Sequence, residues 1–346
     1  MQGRRVAVTL GSGGARGYAH IGILEVLAER DYDVVAVAGT SMGALVGGLY
    51  AAGKLAEYAA WVRKLTQRDV LRMLDPTLTA PGVIRGEKIM GKVTELLGGV
   101  RIEDLQVPFT AVATDLLARR EVWFQQGPLD AAIRASIALP SVITPVVRDG
   151  RLLADGALMN PLPIAATTGA GADLTIGVML SHEDLLSVTG TPTVAGVDGA
   201  AAQADHGGRG ARAQLLDAEL FRTIQGWFGA GEEAEEAHAD AEEAVEGAAE
   251  EVAQGDDVLG ALPPGLRTSD VMTLALDAMQ SVVLRYRLAG YPPDLLITVP
   301  KASARTLDFH RAAEMIEVGR ERATEILARY ERRLDEDGPR PAPFGG

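Results

Sequence analysis

The chain contains no cysteine in 346 residues. Disulfides, thiolate metal sites and cysteine nucleophiles are therefore excluded, and a reducing compartment is permitted. Aromatic residues are also scarce, at 5%, although hydrophobic residues reach 47%. The expected core is aliphatic and alanine-packed, within one large α/β domain or two small ones. No stretch approaches the roughly 18 consecutive apolar residues that span a bilayer. The opening residues carry two arginines and a short apolar run, but the glycine-rich stretch from Gly11 to Gly17 ends it too early for a signal peptide. A cytoplasmic protein is expected, with at most a peripheral, transient contact at the inner membrane surface.

Basic residues are outnumbered: 33 Lys and Arg face 47 Asp and Glu, for a net charge of −14. This is not a property of the whole surface. Residues 231–257 hold twelve carboxylates and neither Lys nor Arg. The rest of the chain is nearly neutral, which argues against nucleic-acid binding and against strong attraction to anionic membranes. From about Leu185 to Pro264, Gly, Ala, Thr and Pro give way to this acidic run. Only Val245 and Val252 could anchor a helix in the acidic part, so a mobile insertion is expected there. The anticipated organisation is a core at 4–184, the insertion at 185–264, a return to the same domain at 265–334, and a tail at 335–346.

What is present centres on Gly39-Thr40-Ser41-Met42-Gly43. The apolar run Val34 to Ala38 before it predicts a buried parallel strand, and Ala44 to Ala52 after it predicts a helix of small residues. A serine between glycines at a strand-to-helix turn has the pattern of a nucleophile elbow. Side chains at positions 39 or 43 would strike the neighbouring strand or helix. Ser41 is thereby expected at a strand's carboxyl end, over the positive end of a helix.

A second glycine-rich turn follows the predicted strand Val6 to Leu10. Gly11-Ser12-Gly13-Gly14-Ala15-Arg16-Gly17 opens onto a helical pattern from Tyr18 to Arg30. A dinucleotide fingerprint starting at Gly11 needs glycine where Arg16 stands. Likewise, Gly48 to Lys54 has phosphate-loop spacing, but Leu55 replaces the required Ser or Thr. The first loop instead offers unobstructed backbone N–H groups, a nest suited to an oxyanion, with Arg16 orienting the loop or adding charge.

Further along, helices are expected over Leu55 to Leu74, Glu87 to Leu97 and Leu129 to Ile137, and a loop over Asp75 to Gly86. Phe109 to Thr114 and Glu121 to Gln125 predict a pair of strands. Arg151 to Ala154 predicts a short strand delivering Asp155-Gly156-Ala157, after which Asn160-Pro161-Leu162-Pro163 should start a helix. Leu174 to Leu180 is a buried strand, and helix, strand and helix follow at Val271 to Leu288, Leu295 to Val299 and Ala312 to Arg333.

A nucleophilic serine needs a base. Of the five histidines, His206 and His238 lie in the irregular stretch, His182 follows a strand end, His310 opens a helix, and His20 suits a packing role. None occupies a catalytic turn. Asp155 does, with Gly156 freeing its backbone, which points to a two-residue Ser–Asp arrangement.

Four blocks in order resemble the bacterial patatin-like phospholipases, in the branch of small neuropathy-target-esterase-like proteins. Gly13-Gly14-Ala15-Arg16-Gly17 resembles the family's oxyanion loop and Gly39 to Gly43 its elbow. Ala135-Ser136-Ile137-Ala138-Leu139-Pro140 resembles the block lining the site, and Asp155-Gly156-Ala157 the block with the catalytic aspartate. Asn160 to Pro163 and Asp308 to Ala312 also fit this branch. The resemblance implies a three-layer α/β/α sandwich around a mainly parallel sheet, a structural role for Ser136, and site-lining positions for Pro140 and Gly156. It also implies hydrolysis of lipid acyl esters by Ser41 and Asp155 with no metal or organic cofactor. An acyltransferase or short-chain carboxylesterase on the same site, or a non-catalytic regulatory member of the fold, is the alternative. Lipid class and oligomeric state are left open.

Overall fold

A computed structural model describes residues 4–73, 82–84, 86–180 and 268–337. The chain divides into two units, one of residues 1–187 with 275–346 and one of residues 188–274. The expected acidic insertion lies outside the described residues.

An eight-stranded sheet forms the centre of the first unit. The strands β1 (Arg5–Leu10), β2 (Asp33–Thr40), β4 (Phe109–Asp115), β9 (Leu174–Met179) and β10 (Leu295–Thr298) run parallel, in the order β10-β9-β1-β2-β4. Three further strands, β5 (Arg120–Phe124), β7 (Val146–Arg148) and β8 (Arg151–Asp155), complete the sheet through antiparallel pairings. A separate two-stranded piece pairs β3 (Gly82–Ile84) with β6 (Ser141–Ile143). The mainly parallel sheet of the sequence reading is thus present, with an antiparallel end.

Alternation along the strands sorts the two faces. Val6, Val8 and Leu10 of β1 pack with Ile176 and Val178 of β9 into the main core. Helices α1 (Ala19–Glu29), α2 (Met42–Ala51), α5 (Glu87–Leu97), α6 (Leu129–Ser136) and α8 (Ala312–Asp337) supply the facing apolar side chains. On the opposite face Leu162, Ile164 and Met179 pack with Leu284 of α7 (Thr268–Gly290). Thr9, whose neighbours point into the main core, meets Thr167 on this second face at 3.3 Å. Helices, sheet and a thinner second layer make the α/β sandwich.

Several local expectations change. The helix read over Leu55 to Leu74 is two, α3 (Leu55–Val62) and α4 (Gln67–Met73). Thr66 restarts the second by accepting from the Asp69 N–H, while Asp69 accepts from the Thr66 N–H and hydroxyl. After Asn160 no α-helix forms. Two prolines remove backbone donors, and only a short 3-10 turn, Ile164–Thr167, follows before Gly169 and Gly171. The loop expected over Asp75 to Gly86 contains β3, and α8 runs three residues into the anticipated tail, to Asp337.

The topology positions two residues. On β4, Thr40 pairs with Val112 and Asp155 with Ala113. The ends of β2 and β8 therefore meet at one point on one edge of β4.

Candidate active site

Ser41 is the residue between β2 and α2, at φ 58° and ψ −123°. That left-handed conformation is strained for a side chain other than glycine, and such strain concentrates at sites where a side chain must be presented. The turn is tight enough to need the flanking glycines. A Cβ on Gly39 would lie 2.2 Å from the Gly43 carbonyl oxygen, and one on Gly43 only 2.0 Å from that of Leu10. Both approaches are to backbone, which cannot move aside as a flexible side chain can.

Asp155 ends β8 and is 1% exposed. Its carboxylate accepts a hydrogen bond from the Ala157 N–H at 2.8 Å, and the Ser41 side chain lies near enough to oppose a rise in its pKa. Burial raises its pKa to about 6, and the nearby Ser41 side chain and the Ala157 N–H hold it from rising further. The backbone is pinned as well: the Asp155 N–H donates to the Ala138 carbonyl at 2.8 Å, and the Thr114 hydroxyl donates to the Asp155 carbonyl at 3.0 Å. Gly156 is required by close approach, because a Cβ there would lie 2.2 Å from the Val112 carbonyl oxygen.

Ser136, fully buried, bridges the junction. Its hydroxyl accepts from the Ser41 N–H at 2.9 Å and donates to the Val112 carbonyl at 2.6 Å. It holds the elbow's backbone. Pro140 is half-buried and gives the pair no hydrogen bond among the described residues.

In the first glycine loop the N–H groups are unequal. Those of Gly11, Ser12 and Ala15 donate to the carbonyls of Val178, Pro161 and Thr306, each at 2.9 Å. The N–H groups of Gly13 and Gly14 donate to no described residue. Gly14 sits at φ +58°, and a Cβ would lie 2.4 Å from the Thr306 oxygen, so this bend admits only glycine. Arg16 and Gly17 belong to the 3-10 turn that follows, Gly14–Tyr18. The buried Arg16 closes the loop through Nε donating to the Gly13 carbonyl at 3.2 Å. Gly17 lets the turn approach Met42, the residue after Ser41, where a Cβ would come within 2.3 Å. A crevice beside the loop, at the carboxyl ends of β1 and β9, is lined by Ser12, Gly13, Arg16, Leu180, Asp277 and Lys301.

Neither histidine among the described residues supplies a base here. His20 is fully buried, and its Nε2 is 2.8 Å from the Gly11 carbonyl. A carbonyl only accepts, so Nε2 carries the proton, and Nδ1 has no partner among the described residues. Burial lowers its pKa to about 4, the hydrogen bond to Gly11 opposing the shift. His20 thus tethers the start of the loop as a neutral side chain, a role more specific than the packing expected of it. His310 lies in the turn Phe309–Arg311 and bonds to neither Ser41 nor Asp155. His182, His206 and His238 lie outside the described residues. Among the described residues no group of three or more His, Asp or Glu side chains is placed to hold a metal ion, and no helix is long and apolar enough to cross a membrane.

Sequence reasoning passed over Thr114, the tether made by His20, and the side-chain contacts of Asn160. The signal for the first two was a polar residue on an otherwise apolar strand or helix face.

Comparison with known proteins agrees with this architecture. The family profile described as patatin-like phospholipase matches residues 8–168. An NTE family protein of Mycobacterium tuberculosis is 47% identical over 352 residues, covering 99% of this chain and 96% of that protein. Human patatin-like phospholipase domain-containing protein 6 is 33% identical over 192 residues, which are 53% of this chain and 14% of that one. Among solved structures, VipD from Legionella pneumophila aligns with a TM-score of 0.41 and 13% identity, over 95% of this chain and 67% of that one. The chain belongs to the patatin-like phospholipase family, in its NTE branch.

Proposed function

We propose that the protein is a serine lipid acyl hydrolase in which Ser41 is the nucleophile and Asp155 the base. Family membership supports lipid ester hydrolysis in general. The observation that carries the finer reading is the meeting of β2 and β8 on adjacent residues of β4, which sets Ser41 beside the buried Asp155 carboxylate.

An ordinary carboxylate is a weak base toward an alcohol, and burial that lifts Asp155 to about 6 narrows the mismatch. Asp155 takes the hydroxyl proton as Ser41 Oγ attacks the ester carbonyl carbon. The carbonyl oxygen becomes an oxyanion, for which the N–H groups of Gly13 and Gly14, which no described residue engages, are the donors; one such donor contributes ~3–4 kcal/mol to the transition state. Collapse expels the alcohol, which takes the proton from Asp155, and leaves an acyl-Ser41 ester. Asp155 then accepts a proton from water as it attacks the acyl carbon. The fatty acid departs and Ser41 recovers its proton. No step requires a metal or an organic cofactor.

Labelling with a fluorophosphonate, followed by mass spectrometry of the modified peptide, tests the assignment. The expected adduct is on Ser41, and an adduct on any other residue, or none, would overturn it.

A further inference from the structure

Asn160 is 1% exposed, yet its Oδ1 has no hydrogen-bond partner among the described residues. The reason lies at the other end of the amide. Nδ2 donates to Glu121 Oε2 at 2.7 Å, and a carboxylate can only accept, so the amide cannot turn over to satisfy its oxygen. The backbone of the same residue reaches both halves of the site. Its N–H donates to the Gly156 carbonyl at 2.8 Å, and its carbonyl accepts from the Thr40 hydroxyl at 2.9 Å. Thr40 precedes Ser41, and Gly156 follows Asp155.

Glu121 is itself held from three sides. Beside Asn160, it accepts from Trp123 Nε1 at 2.8 Å and from Arg287 of α7, whose guanidinium also donates to the Met159 carbonyl at 3.4 Å. Burial alone would raise the Glu121 pKa, but these donors and the Arg287 charge outweigh it and keep the carboxyl below its usual range.

We propose that Arg287, Glu121 and Asn160 form a positioning relay. It runs from α7 through β5 to the segment behind the site, and it keeps Thr40 and Gly156 close enough for the Ser41–Asp155 hydrogen bond to form. None of the three touches the reacting atoms. The relay rests on the reading of Ser41 and Asp155 as the reacting pair, and its effect is on their alignment and not on binding of the substrate.

The full-length chain carrying Arg287→Met, Arg287→Lys, Glu121→Gln and the Glu121→Gln/Arg287→Met pair tests this against p-nitrophenyl butyrate and a fluorophosphonate. Arg287→Met is expected to lower kcat and the second-order labelling rate about tenfold, since small misalignments of reacting groups carry penalties of that size or larger. KM should stay within about twofold. Arg287→Lys, which keeps a cation for Glu121, should recover most of the loss. The double variant should lose little more than the worse single one, as members of one network do. Unchanged kcat and labelling rate in Arg287→Met, a loss confined to KM, or additive losses would each overturn the relay. Should Arg287→Met fail to fold, the kcat of Arg287→Lys and Glu121→Gln decides, and wild-type values in both would overturn it. A wild-type chain that is not labelled at Ser41 defeats the underlying assignment, whereas normal labelling that Arg287→Met leaves untouched defeats the relay alone.

Discussion

Thr40 and Asp155 pair with adjacent residues of one strand, Val112 and Ala113 of β4. Because β2 is parallel to β4 and β8 antiparallel, the two chain ends point at each other along that edge. Ser41 leaves the sheet at the meeting point, and Asp155 stops there. The proposed pair is thus set by two backbone ladders, a more exact support than mobile loops provide. The Ser136 hydroxyl fills the gap where the ladders break, taking the Ser41 N–H and giving its own proton to the Val112 carbonyl.

Ser41→Ala is expected to lower kcat for p-nitrophenyl esters by at least about 10⁴-fold, as removal of a nucleophile does in comparable catalytic units. A second comparison reads the strain directly. At φ 58° glycine avoids a penalty that alanine carries. Ser41→Gly should therefore be more stable than Ser41→Ala by about 1–2 kcal/mol in urea unfolding. Equal stabilities would show that the elbow is relaxed.

Activity should depend on one ionisation in the acid range. Asp155 must be a carboxylate to accept the serine proton, and its pKa is about 6. Below that, kcat/KM is expected to fall tenfold per pH unit, with a plateau from about pH 7 upward. His20 adds no limb near neutrality, because burial keeps it neutral down to about pH 4. A profile governed by a group near 7 that disappears on replacing a histidine would favour a conventional triad.

The parts legible in the sequence were those built from neighbouring residues. Gly39, Ser41 and Gly43 announce a turn whose steric demands fall within five positions, and the strand and helix beside it are plainly patterned. The glycine loop and Asp155-Gly156 are readable for the same reason. Head-on meeting of β2 and β8 is not, since it depends on how β4 shares one edge between two partners far apart in the chain. Nor does three-residue β7, beside Pro145, carry enough alternation to be seen. Which loop amides are engaged depends on Val178, Pro161 and Thr306, and the contact of Arg287 with Glu121 joins residues 166 positions apart. No local pattern encodes such pairs.

Asp155→Asn should stabilise the protein while removing its activity. The folded pKa of about 6 exceeds the ordinary carboxylate value of 3.8, so the folded state binds more protons between those limits. Stability contributed at this site is complete below pH 3.8, declines as pH rises, and is at its lowest above pH 6. At pH 8 the buried charge costs about 3 kcal/mol at most, and the neutral amide avoids it. His20, held neutral, acts with the opposite sign, costing stability as pH falls from 6.5 toward 4. It is present in both proteins and cancels in their difference. Thermal unfolding should show Asp155→Asn melting about 5 °C higher at pH 8 and the gain vanishing near pH 4. A gain that does not change with pH would show that the Asp155 pKa is the same in the folded and unfolded protein.

Ser136→Ala separates a supporting serine from a reacting one. The substitution removes one oxygen and leaves the buried Ser41 N–H without its acceptor and the Val112 carbonyl without that donor. Each orphaned group costs about 1–3 kcal/mol, so a loss of about 2–6 kcal/mol is expected in urea unfolding, with the slope unchanged. The Ser41 backbone is also released at the point where φ is strained, so kcat should fall, though far less than in Ser41→Ala. Fluorophosphonate should still mark Ser41, more slowly, in the variant. If Ser136→Ala instead matched Ser41→Ala in activity while keeping wild-type stability, Ser136 would have to act on the substrate itself, and the scaffold role drawn from its two hydrogen bonds would fall.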